Sequence, residues 1–344
     1  IGAILVLSEL LTWPDWALAD RFTWGFPVAG YIPPSNIFGA AKEAPGQITM
    51  CEILGVDADI WNAVVENDCR ERETDAVICE STKAEQLDGK LSCSYSKSDL
   101  DHMFGVGEWR AVRRRTIWQQ GKNRWRNIDN AKKSLTNPAA LLLDTIKTTP
   151  FDITAAILLN LRSELGCLSG ELAPGLSSED QKNAYHTIPN ARWQLGFCVI
   201  AFLDVDVRPP RMRFCLSWGH VFGFKSAVNN YNRVPEFCIA IARRVLAALS
   251  WHFFDDVGTI SLSLDRETGV HMAAEVFSLL GLPVNPEKHE DWSQHLVHLG
   301  VVHDFSLVHL DVLSYEPKPG RVIKIVDKCK LAREAFPRRS ILAW

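Results

Sequence analysis

Two adjacent aspartates, Asp255 and Asp256, constrain the fold of this chain more than any other feature, because they interrupt the apolar stretch WHFFDDVGTI. Phenylalanine, valine and isoleucine favour strands, whereas aspartate favours turns, so the stretch predicts a β-hairpin with the aspartates at its tip. A plain turn is one explanation for the pair. A metal site is the other, because neighbouring carboxylates repel each other unless a cation lies between them. The pair alone does not decide between the two.

The composition is typical of a folded protein that stays inside the cell. The chain has 344 residues, of which 47% are hydrophobic and 23% are charged, enough for several domains or one large enzyme. Its nine cysteines contain no CxxC pair, which argues against a disulfide framework and a cysteine zinc site. The apolar opening IGAILVLSELLTW is shorter than the roughly 20 residues that span a bilayer, and it lacks the features of a signal peptide. We therefore expect a cytoplasmic or nuclear protein with no membrane partner.

A strongly basic segment runs from Arg110 to Lys133, with nine basic residues and a single acid, Asp129. Within it, GKN reads as a turn between the strand-like runs RTIWQ and RWRNI, which predicts a hairpin. A solvated basic face explains the charge. Arginine interleaved with aromatic residues on a β-ribbon also suits a surface that binds phosphates and bases. Both interpretations stay open at this point.

The hydrophobic pattern predicts an α+β fold, in which helices back an antiparallel sheet. The first predicted element is apolar helical sequence over 138–168, which ends at Gly166, followed by a buried strand in WQLGFCVIAFLDVDV with RMRFCLSW as its hairpin partner. A helix over 226–248, which contains Pro235, and the Asp-Asp hairpin come next. The last is a helix in HMAAEVFSLLG that ends at Gly281 and has four residues facing inward, Met272, Val276, Phe277 and Leu280.

Several short motifs occur in the order found in palm-domain polymerases. They are DQKNAYHTIP (180–189), VFGFKSA (221–227), FFDD (253–256), LLGLPVNPEKHE (279–290), HLGVV (298–302) and, upstream, the basic run GKNRWRNIDNAKKSLTN. In this order and at these intervals they resemble the reverse transcriptase family over residues 100–315. The ordered set, rather than any one motif, favours the metal explanation for the aspartate pair.

The resemblance implies a right-hand polymerase fold, with a palm of antiparallel sheet backed by helices and a fingers subdomain. It divides the chain into an N-terminal extension of unknown role (1–100), fingers (101–172), palm (173–312) and the start of a thumb (313–344). The implied function is that of a retroelement RNA-directed DNA polymerase, which adds dNTPs to a primer 3′-hydroxyl on an RNA or DNA template. It does not indicate an oligomeric state.

The resemblance also implies a set of catalytic groups. Asp180, Asp255, Asp256 and the backbone carbonyl of Gln181 are the expected ligands of two Mg²⁺ ions about 3.5–4 Å apart, with Mn²⁺ as a substitute. Successive side chains in extended chain point to opposite faces, so we expect Asp255 to be the main ligand of the pair and Asp256 to be peripheral. Lys288 is expected near the departing pyrophosphate, as a charge stabiliser or proton donor.

Nucleotide-binding and primer-binding roles follow by position. The expected residues are Arg124, Arg126 and Lys122 for the triphosphate, Tyr185 under the sugar as a barrier to a 2′-hydroxyl, Gly223 and Phe224 beneath template and nucleotide, and His298, Leu299 and Gly300 as the primer grip.

Two features and two alternative functions stay open. Glu179 precedes Asp180 and either adds charge to the site or faces away from it. The five histidines between His289 and His309 fit no closed zinc set by their spacing.

An RNA-directed RNA polymerase is disfavoured because that class usually has glycine where this chain has Phe254, and because Tyr185 hinders ribonucleotides. An inactive nucleic-acid-binding remnant is the other alternative.

Overall fold

The computed structural model describes residues 1–41 and 48–335, and these form an α+β protein of two compact units. Unit 1 comprises residues 1–147, 183–237 and 280–282, and unit 2 comprises residues 148–182, 238–279 and 283–344, of which the last nine lie outside the described part. The α+β prediction is confirmed. The unit borders do not coincide with the predicted boundaries at 100, 172 and 312, which stay predictions. Within the described chain, no helix combines the length and apolar character that a bilayer span requires.

Helices and strands are numbered here in chain order. Unit 1 contains α1 (Gly2–Leu10), α2 (Leu18–Trp24), β1 (Gly30–Ile32), β2 (Gly39–Ala40), α3 (Val56–Glu66), α4 (Asp75–Leu87), α5 (Lys97–Phe104), β3 (Ala111–Gln119), β4 (Arg124–Asp129), β5 (Ala140–Leu142), β6 (Asp144–Thr145), β8 (Val199–Asp204) and β9 (Arg211–Leu216). Unit 2 contains α6 (Ile153–Leu165), β7 (Pro174–Asp180), β10 (Leu249–Phe253), β11 (Asp256–Leu262), α8 (Arg266–Leu279), β12 (Glu290–Ser293), β13 (His295–His298), β14 (Val301–Asp304), β15 (Ser314–Pro317) and α9 (Arg321–Ala335). Helix α7 (Lys225–Val245) crosses the border.

The main sheet of unit 1 has the strand order β4-β3-β8-β9. Strands β3 and β4 pair antiparallel around a turn in which Asn123 is left-handed, so the predicted basic hairpin is confirmed. Strand β8 is buried along its whole length and pairs antiparallel with β9, as the apolar run predicted. Its two faces lie in two apolar clusters, one around Ile200 and Phe202 and the other around Val199 and Ala201.

The helix predicted over 138–168 is correct only in its second half. Helix α6 covers Ile153–Leu165 and is followed by Gly166 at φ 74°, but the apolar run before it forms two short strands. Strand β5 pairs in parallel with β1, and β6 pairs with β2. Strand pairing with chain more than 100 residues away overrides the local helix preference of alanine and leucine.

Two other predicted helices are present with shifted ends. Helix α7 begins at Lys225, where the backbone N–H donates to the Asn137 side chain, and contains Pro235 in its interior. Helix α8 begins at Arg266, five residues before the predicted start. Of its predicted inward residues, Val276 and Phe277 are buried, whereas Met272 and Leu280 are only half-buried.

Three of the nine basic residues in the Arg110–Lys133 segment are buried and neutralised inside unit 1. Arg110 pairs with Asp57 at 2.6 Å, and Arg113 approaches Asp68 at 3.5 Å. Arg114 contacts Asp129 at 2.8 Å and Glu85 at 2.6 Å. A buried arginine is tolerated only when it is paired in this way, so part of the charge that suggested a binding surface stabilises the fold instead.

His220, an unusual residue in its apolar surroundings, is fully buried between two asparagines of unit 1. Its Nδ1 contacts Asn190 Oδ1 at 2.5 Å and its Nε2 contacts Asn230 Nδ2 at 2.8 Å. An amide oxygen only accepts and an amide nitrogen only donates, so the neutral ring donates through Nδ1 and accepts through Nε2. Burial, with a smaller effect from His186, lowers the pKa of His220 to about 3.

We expect this histidine to make the protein acid-sensitive. In the unfolded chain its pKa is about 6.5, so below that pH the unfolded state binds a proton that the folded state excludes until about pH 3. When the pH falls from 7.5 to 5, the free energy of unfolding of the wild type should fall by about 2 kcal/mol more than that of His220→Gln. Urea denaturation at both pH values measures this, and the exposed His309→Gln serves as the control. Equal losses in wild type and His220→Gln would contradict the assignment.

Candidate active site

The Asp-Asp stretch forms the predicted hairpin, with Phe254 and Asp255 as the two turn residues between β10 and β11. Phe254 has φ 54°, a left-handed conformation that is costly for a side chain as bulky as phenylalanine. Glycine would adopt it without strain. Strained backbone of this kind is concentrated at functional sites, where surrounding structure maintains it. Here its effect is to hold Asp255 and Asp256 at the end of the sheet.

The sheet of unit 2 brings Asp180 next to this hairpin. Its strand order is β10-β11-β7-β12, and Asp180, the last residue of β7, lies directly opposite Asp256 in the antiparallel pair. Directly opposed residues project from the same face of a sheet. The backbone N–H of Gln181 donates to the carbonyl of Asp255 at 2.8 Å. The three aspartates predicted to act together therefore converge at one end of one sheet, although 75 residues separate Asp180 from Asp255.

Lys288 lies against Asp180 because the loop before it is hydrogen-bonded to the end of β7. The N–H of Asn285 donates to the Asp180 carbonyl at 2.7 Å, and the N–H of Lys182 donates to the Pro283 carbonyl at 2.9 Å. The Lys288 ammonium group then donates to Asp180 Oδ2 at 2.5 Å. The Lys288 ammonium group thus neutralises Asp180, the carboxylate that the sequence predicts to bind a metal ion.

An open cavity of about 360 Å³ lies at this end of the sheet, and five of the predicted site residues line it. They are Asp180, Asp256, Lys288, His298 and Leu299. Asp255, in contrast, is exposed at the turn and does not line this cavity. The register therefore does not support the expectation that Asp256 is peripheral. Side chains alternate between faces only in extended chain, whereas Asp255 lies in the turn and Asp256 is the first residue of β11.

The predicted primer grip is a tight hairpin of unit 2, with Leu299 and Gly300 between β13 and β14. Both residues have positive φ, 52° and 77°, as a two-residue turn of type I′ requires. Arg321 donates to both of their carbonyls, at 3.3 and 3.0 Å. Before the turn, His298 is buried and its Nδ1 contacts Ser178 Oγ at 3.0 Å. Burial, with a smaller effect from His303, lowers the pKa of His298 to about 4, so it is neutral near pH 7.

Of the predicted nucleotide-binding residues, Gln181 lies in unit 2 and the others lie in unit 1, where Phe222 brings two of them together. The Arg126 guanidinium stacks over the Phe222 ring at 4.0 Å, and the Tyr185 ring meets the same phenylalanine edge-on at 4.9 Å. Gly223 follows with φ 132°, and any Cβ there would collide with the Asp129 carbonyl. Phe224 is buried in the apolar core. The roles expected for Gly223 and Phe224 beneath template and nucleotide stay predictions.

Arg124 and Arg126 lie on β4 with no acidic partner within ion-pair distance among the residues that the structure describes. On the same hairpin, Trp118 and Trp125 are cross-strand partners whose ring centroids are 5.1 Å apart, and 45% and 42% of their surfaces stay exposed. The side chain of Lys122 lies outside the described part of the structure. This ribbon offers uncompensated positive charge beside exposed aromatic surface.

Unit 2 also holds a cluster that the sequence spacing did not reveal. Potential ligand atoms of Glu179, His271 and His289 all lie within 4.8 Å of one another. The sequence spacing draws attention only to the histidines from His289 onward, whereas the neighbours of His289 in this cluster come from β7 and α8. Glu179 is buried on the face of β7 opposite to Asp180, which answers the question of its orientation. Burial raises the pKa of the Glu179 carboxyl, and the neighbouring His289 opposes that rise.

No protein-family model and no curated protein matches this chain. Its function must therefore be argued from the residues of each unit.

Proposed function

We propose that this chain is an RNA-directed DNA polymerase domain of a retroelement, with a right-hand polymerase fold in which unit 2 contains the palm. The observation that carries the proposal is the direct opposition of Asp180 and Asp256, with Lys288 bonded to Asp180, at one sheet end. The ordered sequence motifs predict a catalytic role for the same three residues.

The carboxylates fit the expected magnesium ions by the chemistry of their donors. Asp180, Asp255 and Asp256 offer hard oxygen ligands, which Mg²⁺ prefers, and they project from rigid strand ends and a tight turn. When bound, Mg²⁺ supplies charge stabilisation to the attacking and leaving oxygens of phosphoryl transfer. Lys288 orients the Asp180 carboxylate and would supply a proton and a positive charge to a departing pyrophosphate.

Unit 1 supplies groups suited to a nucleotide. Arg126 is held in place by stacking on Phe222, and with Arg124 it provides fixed positive charge for phosphates through charge-assisted hydrogen bonds. Tyr185 is fixed by edge-on contacts with Phe222 and Tyr231, so its ring cannot move aside easily for a 2′-hydroxyl. This rigidity supports a preference for deoxynucleotides over ribonucleotides, and with it a DNA polymerase rather than an RNA polymerase.

Primer extension on an RNA template tests the proposal. Purified protein should extend a DNA primer with dNTPs in the presence of Mg²⁺ or Mn²⁺, and should extend it poorly with rNTPs. Equal use of both nucleotides would favour an RNA polymerase. A protein that binds the primed template but gives no extension with either metal would overturn the enzymatic assignment and favour a nucleic-acid-binding remnant that uses the Trp118–Trp125 ribbon.

A further inference from the structure

Glu179, His271 and His289 form a second candidate metal site in unit 2, separate in chemistry from the aspartates. We propose that these three side chains bind one zinc ion. They come from three different segments: Glu179 from β7, His271 from α8, and His289 from the residue just before β12. Zinc bound there would join a helix, a strand and the segment before β12 within the same unit.

An unsatisfied carboxylate oxygen is the first observation behind this proposal. Glu179 is only 4% exposed, and its Oε1 accepts a hydrogen bond from His289 Nδ1 at 2.7 Å. Its Oε2 is buried and has no hydrogen-bond partner among the described residues. A buried carboxylate without enough donors is destabilising, and a metal ion relieves that deficit.

The geometry of the donors is the second observation. The three potential ligand atoms lie within 4.8 Å of one another, and the His271 and His289 rings are stacked at an interplanar angle of 29° with centroids 5.6 Å apart. Zinc bonds of about 2.0–2.1 Å place tetrahedral ligand atoms roughly 3.4 Å apart, so small side-chain rotations suffice. Zinc binds deprotonated ligands, so we expect the affinity of the site for zinc to rise with pH.

The identity of the ligands selects zinc over magnesium. Two imidazole nitrogens and one carboxylate are a common zinc set, whereas Mg²⁺ prefers oxygen ligands. Three protein ligands leave the fourth tetrahedral position to water. A second group with potential ligands in the described part of the chain, Cys79 with Asp204 and Asp206, differs because the Lys83 ammonium already contacts both aspartates, at 3.0 and 2.7 Å.

Zinc and cobalt titrations of the purified full chain test the inference. The wild type should bind one Zn²⁺ and, with Co²⁺ as a probe, should show the intense visible absorption of a tetrahedral site. His271→Ala should weaken Zn²⁺ binding by at least about 100-fold, because even groups that merely orient a zinc ligand contribute 10- to 100-fold. His271 is exposed, so this variant should fold normally, and its circular dichroism checks that it does.

Two controls separate this site from other metal binding. His295→Ala removes an exposed histidine of the same unit and should leave zinc affinity unchanged. Asp255→Asn should also leave it unchanged, so the zinc result does not depend on the polymerase proposal. The inference is overturned if the wild type binds no zinc, or if folded His271→Ala and His289→Ala variants both bind it as tightly as the wild type does.

Discussion

Replacing Asp180 by asparagine is expected to reduce the rate of primer extension by about 1,000-fold or more, equivalent to roughly 4 kcal/mol of transition-state stabilisation. Asparagine keeps the shape of the side chain but removes the negative charge that pairs with Lys288 and that, in the proposed function, binds a divalent cation. Single-turnover rates at saturating Mg²⁺ and dNTP concentrations measure the loss. Mn²⁺ should not restore the wild-type rate, because the missing ligand is the same for both ions.

A matched control is Glu275→Gln, which neutralises an exposed carboxylate of α8 in the same unit and should leave the rate unchanged. A wild-type rate in Asp180→Asn would contradict the assignment. Asp255→Asn and Asp256→Asn, compared side by side, identify the main partner of Asp180. The sequence pattern favours Asp255, whereas the register and the cavity favour Asp256.

The second large effect concerns stability. Asp15→Ala is expected to lower the free energy of unfolding by about 3–5 kcal/mol, because it leaves the Arg233 charge buried without its partner. The two side chains are only 1% and 2% exposed and form two hydrogen bonds, at 2.7 and 2.6 Å. Urea denaturation followed by circular dichroism measures the change.

An exposed ion pair supplies the comparison for that prediction. Arg72 and Asp68 are also bonded at 2.7 Å, but their side chains are 48% and 38% exposed. Arg72→Ala should therefore cost no more than about 1 kcal/mol. If Asp15→Ala cost no more than Arg72→Ala, the buried pair would not have the structural role described for it.

Much of the fold was predictable where a pattern was local. The alternation around GKN, the apolar run of β8 and the Asp-Asp hairpin each specified their own strands, and all three are present. The apolar segment 140–142 was misread because its strand partner lies at residues 30–32, beyond the reach of any local pattern. Propensity alone cannot indicate such a pairing.

The candidate site shows the same limit at the level of side chains. Ordered motifs selected Asp180, Lys288 and the aspartate pair, which the sheet then brings to one end. The sequence could not show that Phe254 adopts a left-handed conformation, nor that Asp256 rather than Asp255 faces Asp180. Likewise, the basic run gave no sign that Arg114 is buried against Asp129, because burial depends on the whole unit.

Direct counting of bound Mn²⁺ by electron paramagnetic resonance is the most direct test of whether the three aspartates hold divalent cations. The measurement is best made in a His271→Ala background, so that the Glu179 cluster does not contribute. We expect saturable Mn²⁺ binding in that background, and its loss when Asp180→Asn and Asp256→Asn are added. Identical Mn²⁺ binding with and without those two carboxylates would contradict the central claim.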